Sequence, residues 1–293
     1  MSVLPWHAPV LAQLAQALTD NRLANAIALT APPGWGLTEL LDRSTKLLLG
    51  IEDPRPAREL AHSDLRWVEP DGAAIKVEQA RAVGEFAVQT AQLGPRKVVA
   101  IDAAHTMNVN TANALLKTLE EPPANTHLLL ATEYWTRLLP TVRSRLQRRA
   151  VAPDEALARA WLEAQGHEAG TTELALLGNA PLQLAAALAE PATSFPAWLT
   201  RLDAGPAALE TAVKEAQAAG AVNWLAQWYR FVLQTLRTEP SSQHRPLFEF
   251  ADRLLDARRQ LETSNAANEK ALLEYLILGW QRLPGADTAS RGR

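Results

Sequence analysis

The chain of 293 residues contains no cysteine. A disulfide framework and a thiolate metal site are therefore both excluded. The histidines show no H-x-x-x-H spacing, so we expect no bound metal; they lie at positions 7, 62, 105, 127, 167 and 244. The chain also lacks a run of 18 apolar residues and a basic, apolar leader segment. We therefore expect a cytoplasmic protein with no membrane partner.

The chain also lacks an excess of positive charge. Its formal net charge is −3 and its pI is about 6.1. A basic nucleic-acid binder would carry a strongly positive charge, so any DNA contact must be local or shared with a partner. Hydrophobic residues make up 47% of the chain, which is ample for packed cores. The length predicts about two domains, with three small ones also allowed.

A phosphate-binding loop lacks its usual lysine. The run APPGWGLT, from Ala31 to Thr38, separates a predicted strand from a predicted helix and keeps Gly34, Gly36 and Thr38. In such loops glycines let backbone N–H groups surround phosphates, a lysine neutralises the terminal phosphates, and a hydroxyl holds Mg²⁺. Here Ala31 replaces the first glycine and Leu37 replaces the lysine. The pattern indicates a vestigial nucleotide site.

A second motif is also incomplete. A hydrophobic strand ends at Asp102, where related ATPases hold their metal ion, but Ala103 occupies the next position. Active enzymes of this type usually carry there the glutamate that polarises the attacking water. Each motif alone is weak, because Pro-Pro-Gly-x-Gly is often an ordinary turn and an Asp after a strand is often a cap. Both motifs occur in the expected order after apolar runs, which favours a disabled ATPase site.

The first half of the chain alternates short strands with helical segments. Strands are predicted at 26–31, 65–69, 98–101, 127–132 and 147–151, which indicates a parallel α/β sheet. Ligands of such sheets lie beyond the carboxyl ends of the strands. Gly34, Asp102 and Thr132 all follow strand ends, so we expect them to converge on one site.

Beyond Pro153 the strand pattern stops and helical spacing of alanine and leucine begins. Helices are predicted near 207–219, 221–237, 246–263 and 266–282, with the tryptophans of this zone in the core. We predict an α/β domain at 1–151, a small helical domain at 152–192, a second helical domain at 193–284 and a frayed tail at 285–293. The fold class is thus α/β followed by all-α.

One helical segment is more informative as a string of residues than as a physical pattern. NALLKTLEEPP, from Asn113 to Pro123, is in physical terms an amphipathic helix stopped by two prolines. As a string it closely resembles the segment shared by bacterial clamp-loader subunits of the AAA+ class. LLLAT at 128–132 and LLPTVRSRL at 138–146 follow at the family's spacing. The resemblance implies an AAA+ P-loop domain, a helical lid and a C-terminal helical collar that joins subunits.

The segment ending in Ser144-Arg145 is similar to the family's Ser-Arg-Cys motif, with Leu146 in place of cysteine. The resemblance implies that Arg145 acts as an arginine finger in trans, reaching the terminal phosphate of ATP bound by a neighbouring subunit. Ser144 accompanies it, and Arg143 is a weaker candidate. A different interpretation makes the arginines of this stretch a solvated basic face; they are residues 137, 143, 145, 148 and 149.

The resemblance also implies partners and cofactors. The implied role is a stator subunit of the DNA polymerase III clamp loader, assembled with motor (gamma/tau) subunits and the clamp-opening delta subunit. The complex places the sliding clamp on primed DNA, and the neighbours bind the ATP. Many such subunits carry four zinc-binding cysteines, whereas the short stretch 49–65 has none. We therefore expect no cofactor and infer loss of the zinc module.

Two alternatives remain open. An active clamp-loader or repair ATPase of the gamma/tau type needs charge at the terminal phosphates, which Leu37 does not supply. A helical DNA-binding scaffold without subunit partners uses the arginine cluster but gives Ser144-Arg145 no interface.

Near Gly178 to Pro181, where active relatives carry a second nucleotide-sensing arginine, Pro181 cannot take that role.

Overall fold

The structure is a computed structural model. It describes residues 4–72, 74–167, 174, 179–189, 195–202, 209–238, 244–263 and 268–283. The chain divides into two compact units, Met1–Trp161 and Leu162–Arg293. The finer division near residue 192 stays a prediction, because residues 190–194 lie outside the described ranges, as do Gly178 and the predicted tail at 285–293.

Unit 1 is built on a five-stranded parallel sheet with the order β2-β3-β4-β1-β5. Its strands are β1 (Ala26–Thr30), β2 (Leu65–Val68), β3 (Lys97–Ile101), β4 (Thr126–Thr132) and β5 (Gln147–Ala150). All five follow the predicted segments to within a residue at each end. The predicted α/β class is confirmed.

Helices connect and cover these strands. They are α1 (Ala8–Thr19), α2 (Leu37–Leu49), α3 (Val77–Ala87), α4 (Val109–Glu120), α5 (Pro140–Arg143) and α6 (Glu155–Ala164). Short 3₁₀ turns occur at Pro5–His7, Ala57–Glu59, Ala104–Thr106 and Trp135–Arg137. The central strands β1, β3 and β4 are buried along their whole length, as the apolar runs predict for a sheet covered on both faces.

Helix α4 illustrates why the specific string folds as it does. The Asn108 side chain caps the helix by accepting a hydrogen bond from the Thr111 N–H at 2.9 Å. Leu115 and Leu119 pack into the core beside β3 and β4. The helix ends just before two prolines, which leaves Glu120 exposed in its last turn.

Helices are the regular elements of unit 2 within its described residues. Its helices are α7 (Pro181–Ala189), α8 (Phe195–Leu202), α9 (Leu209–Ala218), α10 (Ala221–Thr238), α11 (His244–Thr263) and α12 (Glu269–Gln281). The core is rich in aromatic side chains, and four tryptophans are buried in it as predicted: Trp198, Trp224, Trp228 and Trp280. Neighbouring rings meet mostly edge to face, the favoured geometry.

Across the described ranges, no helix is long and apolar enough to cross a membrane.

Candidate functional site

The loop that the sequence predicts to be a degenerate phosphate loop links β1 to the start of α2. Its two glycines adopt left-handed backbone angles, with φ of 79° at Gly34 and 73° at Gly36. Side chains disfavour this conformation, and a Cβ on Gly36 would lie only 2.4 Å from Leu4 Cδ1. The local backbone conformation therefore favours glycine at both positions, independently of any ligand of the loop.

The structure brings the two incomplete motifs together. Thr38 Oγ1 donates a hydrogen bond to Asp102 Oδ2 at 2.9 Å, although 64 residues separate them. The other carboxylate oxygen of Asp102 accepts the N–H of Ala103 at 2.8 Å. In active P-loop enzymes a loop hydroxyl and a strand-end aspartate hold Mg²⁺ together. In this chain the same two side-chain types are in contact at the corresponding place.

Thr132 lies at the end of β4, and its hydroxyl contacts two half-buried residues, Tyr134 and His105. Its Oγ1 accepts the N–H of Tyr134 at 3.2 Å and lies 3.4 Å from His105 Nδ1. Burial, reinforced by the positive charge of Arg137, lowers the pKa of His105 below 6.5. The ring is therefore neutral at pH 7.

Glu133, next in the chain, carries the opposite shift. Burial raises the pKa of its carboxyl above 4.5, and the nearby Asp102 carboxylate raises it further. The carboxyl groups of Asp102 and Glu133 are thus both partly buried at this end of the sheet, where their negative charges repel each other.

The lysine position is apolar in environment as well as in sequence. Leu37 is only 6% exposed and Trp35 only 1%. The Pro5–His7 turn packs on the loop: Trp6 Nε1 donates to the Trp35 carbonyl at 2.9 Å, and His7 Nε2 lies 2.8 Å from the same oxygen. An ammonium group at position 37 would have to be buried there.

His7 itself is fully buried. Desolvation lowers its pKa, although the hydrogen bond to the Trp35 carbonyl acts in the opposite direction. The neutral ring donates through Nε2, while Nδ1 has no hydrogen-bond partner among the described residues. The contact is an uncharged clamp on the loop.

Arg145 lies just after the short helix α5, far along the chain from the loop between β1 and α2. Its Nη1 donates to the Thr141 carbonyl at 2.6 Å and to Ser144 Oγ at 3.3 Å, and its Nη2 forms an ion pair with the Glu120 carboxylate. The Arg145 side chain is 32% exposed and that of Glu120 46%. The guanidinium is thus held in place and still reachable from solvent.

The other arginines of the cluster make different contacts. The Arg137 guanidinium lies 4.5 Å from the Tyr134 ring centre, and that of Arg148 lies 5.2 Å from the ring centre of Trp135. Arg148 Nε also donates to Thr30 Oγ1 at 3.0 Å. The Nε of Arg143 is buried without a hydrogen-bond partner among the described residues. The arginines therefore do not form one uniform solvated face.

Sequence reasoning missed several residues of this region. Glu120 is visible in the sequence only as part of a family string, and nothing in its spacing from Arg145 predicts their contact. His105, Glu133 and the Trp6–His7 pair belong to no motif at all. Only the apolar neighbourhood of the N-terminal residues indicates that they pack.

No group of three or more histidine, aspartate or glutamate side chains is arranged to hold a metal ion within the described ranges.

Comparison with known proteins decides the family. A family model described as "DNA polymerase III, delta subunit" matches residues 6–155, just over half of the chain. The chain belongs to this family. The matched region covers unit 1 from the N-terminal turn to the start of α6, and includes both incomplete motifs and Arg145.

Individual relatives agree. The chain is 38% identical over 198 residues to the DNA polymerase III subunit delta' of Pseudomonas aeruginosa, covering 61% of this chain and 60% of that protein. It is 34% identical over 173 residues to the Escherichia coli subunit delta', covering 54% and 52%. The matches thus span little more than half of the length of these relatives.

Proteins named as subunit tau/gamma match over a smaller share of their own length. The DNA polymerase III subunit tau/gamma of Haemophilus influenzae is 33% identical over 159 residues, which is 50% of this chain and 23% of that protein. Among solved structures, a DNA polymerase III gamma subunit-related protein from Thermotoga maritima matches 96% of this chain and 99% of its own, with a TM-score of 0.51 and 19% identity. At that identity the likeness concerns the fold alone.

Proposed function

We propose that this chain serves as the delta-prime stator of a DNA polymerase III clamp loader, with a nucleotide site that no longer works. The observation that carries the proposal is the buried Leu37 at the lysine position, between strand β1 and helix α2. Terminal phosphates need a fixed positive charge, and a buried leucine supplies none. A loop without that charge is not expected to hold the terminal phosphates for hydrolysis, so no step of hydrolysis is assigned to it.

The chemical contribution of the subunit is then made to a neighbour. In this proposal Arg145 stabilises the charge that develops on the terminal phosphate of ATP bound by a motor subunit, with Ser144 beside it. Support comes from a guanidinium that is partly exposed and already oriented. Arg143 is the weaker candidate, because its Nε is buried.

Partners and location follow from the same role. The proposed partners are the gamma/tau motor subunits, the delta subunit, the sliding clamp and primed DNA within the complex, in the cytoplasm. ATP is bound by the neighbours, and zinc is not part of this subunit. Elemental analysis of protein purified without a histidine tag should find less than one zinc per chain; stoichiometric zinc would contradict this part of the proposal.

The isolated protein provides the first test. Purified alone, it should release no phosphate from ATP above background, with the same result for Thr38→Ala and Asp102→Ala. Turnover that disappears in either variant would overturn the inactive-site proposal. Weak nucleotide binding is compatible with it, since losing one charged contact costs about 1.5–3 kcal/mol, or one to two decades in affinity.

One observation favours the rival function, an active ATPase of the gamma/tau type. The Thr38–Asp102 pair retains the arrangement that holds Mg²⁺ in active sites. The rival predicts magnesium-dependent hydrolysis by the isolated chain, whereas the stator proposal predicts none.

A further inference from the structure

The contacts of Arg145 account for three of its N–H donors. A guanidinium carries five. Both hydrogens of Nη1 have acceptors, the Thr141 carbonyl and Ser144 Oγ, and one hydrogen of Nη2 is taken by Glu120. Within the described part of the chain, the Nε–H and the second Nη2 hydrogen have no acceptor. Two donors are the number that a bidentate contact with phosphate oxygens requires.

The acceptors come from two different elements. Thr141 lies in α5 and Ser144 directly follows it, whereas Glu120 ends α4, 25 residues before Arg145 in the chain. The Thr141 and Ser144 contacts restrain the guanidinium only at Nη1, and the Ser144 contact is the longer of the two at 3.3 Å. The Glu120 contact on Nη2 adds a second fixed point, which defines the plane of the group.

The position of Glu120 is not explained by helix stability. It lies in the last turn of α4, where the partial negative charge of the helix dipole disfavours a carboxylate. A half-exposed ion pair contributes little to folding in general. What this pair does contribute is orientation, because it fixes a planar group with two unused donors.

We propose that Glu120 is a positioning residue, which holds the Arg145 guanidinium in the orientation that meets the terminal phosphate of a nucleotide bound by the neighbouring subunit. This inference rests on the proposed function of Arg145. Glu120 touches neither the nucleotide nor the reacting atoms and acts only through the arginine.

The test uses the reconstituted clamp-loader complex, with ATP hydrolysis stimulated by the clamp and primed DNA. Glu120→Ala should lower kcat about two- to fivefold, the scale of a half-exposed ion pair, and leave KM for ATP unchanged. Glu120→Gln keeps an acceptor oxygen without the charge, so its kcat should lie between that of the unmodified protein and that of Glu120→Ala. The control is Glu121→Ala, which removes the adjacent exposed carboxylate and should hydrolyse ATP at the unmodified rate.

A double-mutant cycle separates positioning from a general effect on the subunit. With Arg145→Ala already present, adding Glu120→Ala should cause no further loss, because the residue acts through the arginine. A further loss in that background, a change confined to KM, or an unmodified rate for Glu120→Ala beside a slow Arg145→Ala would each overturn the inference and leave the trans-acting arginine intact. If Arg145→Ala itself hydrolyses ATP at the unmodified rate, the proposed function fails and the inference fails with it.

Glu120 is exposed, so its variants should fold and assemble, as circular dichroism and gel filtration of the complex would show. If Glu120→Ala does not assemble, Glu120→Gln carries the same comparison. A rate for Glu120→Gln equal to the unmodified rate, while Arg145→Ala is slow, would then contradict the inference.

Discussion

Position 37 carries a leucine where a phosphate loop needs a positive charge. The missing lysine, like the missing glutamate at Ala103, is predictable from the sequence because both motifs have fixed spacing. The burial of Leu37 is not predictable in this way, since the loop is packed by Trp6 and His7, which reach Trp35 across 29 and 28 residues. The sequence therefore predicts that the loop has no positive charge at position 37, and the structure adds that this position is buried in apolar surroundings.

Restoring the lysine should not restore the site. Leu37→Lys places an ammonium group where only 6% of the residue is exposed, so we expect a loss of stability on the order of 3 kcal/mol in urea unfolding. ATP binding, measured by calorimetry, should remain undetectable or weak. Leu37→Met conserves volume and should cost less than about 1.5 kcal/mol. Tight ATP binding by a fully stable Leu37→Lys protein would show that the loop is still a working cradle.

Glu120 marks the limit of sequence-based prediction for a single residue. Its string identifies a family, and amphipathic spacing places it at a helix end, but its partner lies 25 residues away in another element. Contacts of that kind come from how α4 and α5 pack, which periodicity does not encode. The contact between Thr38 and Asp102 was predictable only because both follow strands of one parallel sheet.

At the scale of elements, the strands were predicted well because they are buried apolar runs bounded by polar turns. The four helices predicted with bounds in unit 2, α9 to α12, were placed to within a few residues, with α12 beginning at Glu269 where 266 was predicted. The loop between α3 and β3 escaped prediction. It is organised by one buried carboxylate, Asp64, which comes from a distant segment just before β2.

Asp64 makes the stability of unit 1 depend on pH. Burial alone would raise the pKa of its carboxyl, but hydrogen bonds from three backbone N–H groups outweigh burial and hold it below 3.8; the donors are Gln92, Leu93 and Gly94, at 2.7, 2.7 and 3.0 Å. A lowered folded-state pKa adds stability above pH 3.8 that is lost as pH falls through the folded value.

We therefore expect Asp64→Asn to unfold more easily by about 1–3 kcal/mol at pH 7. The difference from the unmodified protein should shrink as pH falls below 3.8, because the Asp64 carboxyl of the unfolded chain then binds a proton; it disappears once the folded-state carboxyl, whose pKa is lower, is protonated as well. Urea unfolding at pH 7 and near pH 3 measures both values. A difference of the same size at the two pH values would contradict the assigned role of the carboxylate.

At the scale of the molecule, the family match at residues 6–155 lies in unit 1. Unit 2 has an aromatic core of its own. The stator proposal gives the two units different tasks, with the first presenting Arg145 and the second serving as the collar that joins subunits. The three-part division of the chain stays a prediction. In this proposal, a subunit that hydrolyses no ATP itself accelerates ATP hydrolysis by its neighbour.

The most direct test is the ATPase rate of the reconstituted complex carrying Arg145→Ala. At a single site an arginine finger is worth ~10³–10⁵ in rate, so we predict an assembled complex in which stimulated hydrolysis and clamp loading are clearly slower. Arg145→Lys should rescue poorly, since a point charge does not reproduce the planar fork. Arg148→Ala, from the same basic stretch, should act far more weakly, and any effect should fade with salt. An Arg145→Ala complex that hydrolyses ATP and loads clamps at the unmodified rate would contradict the account.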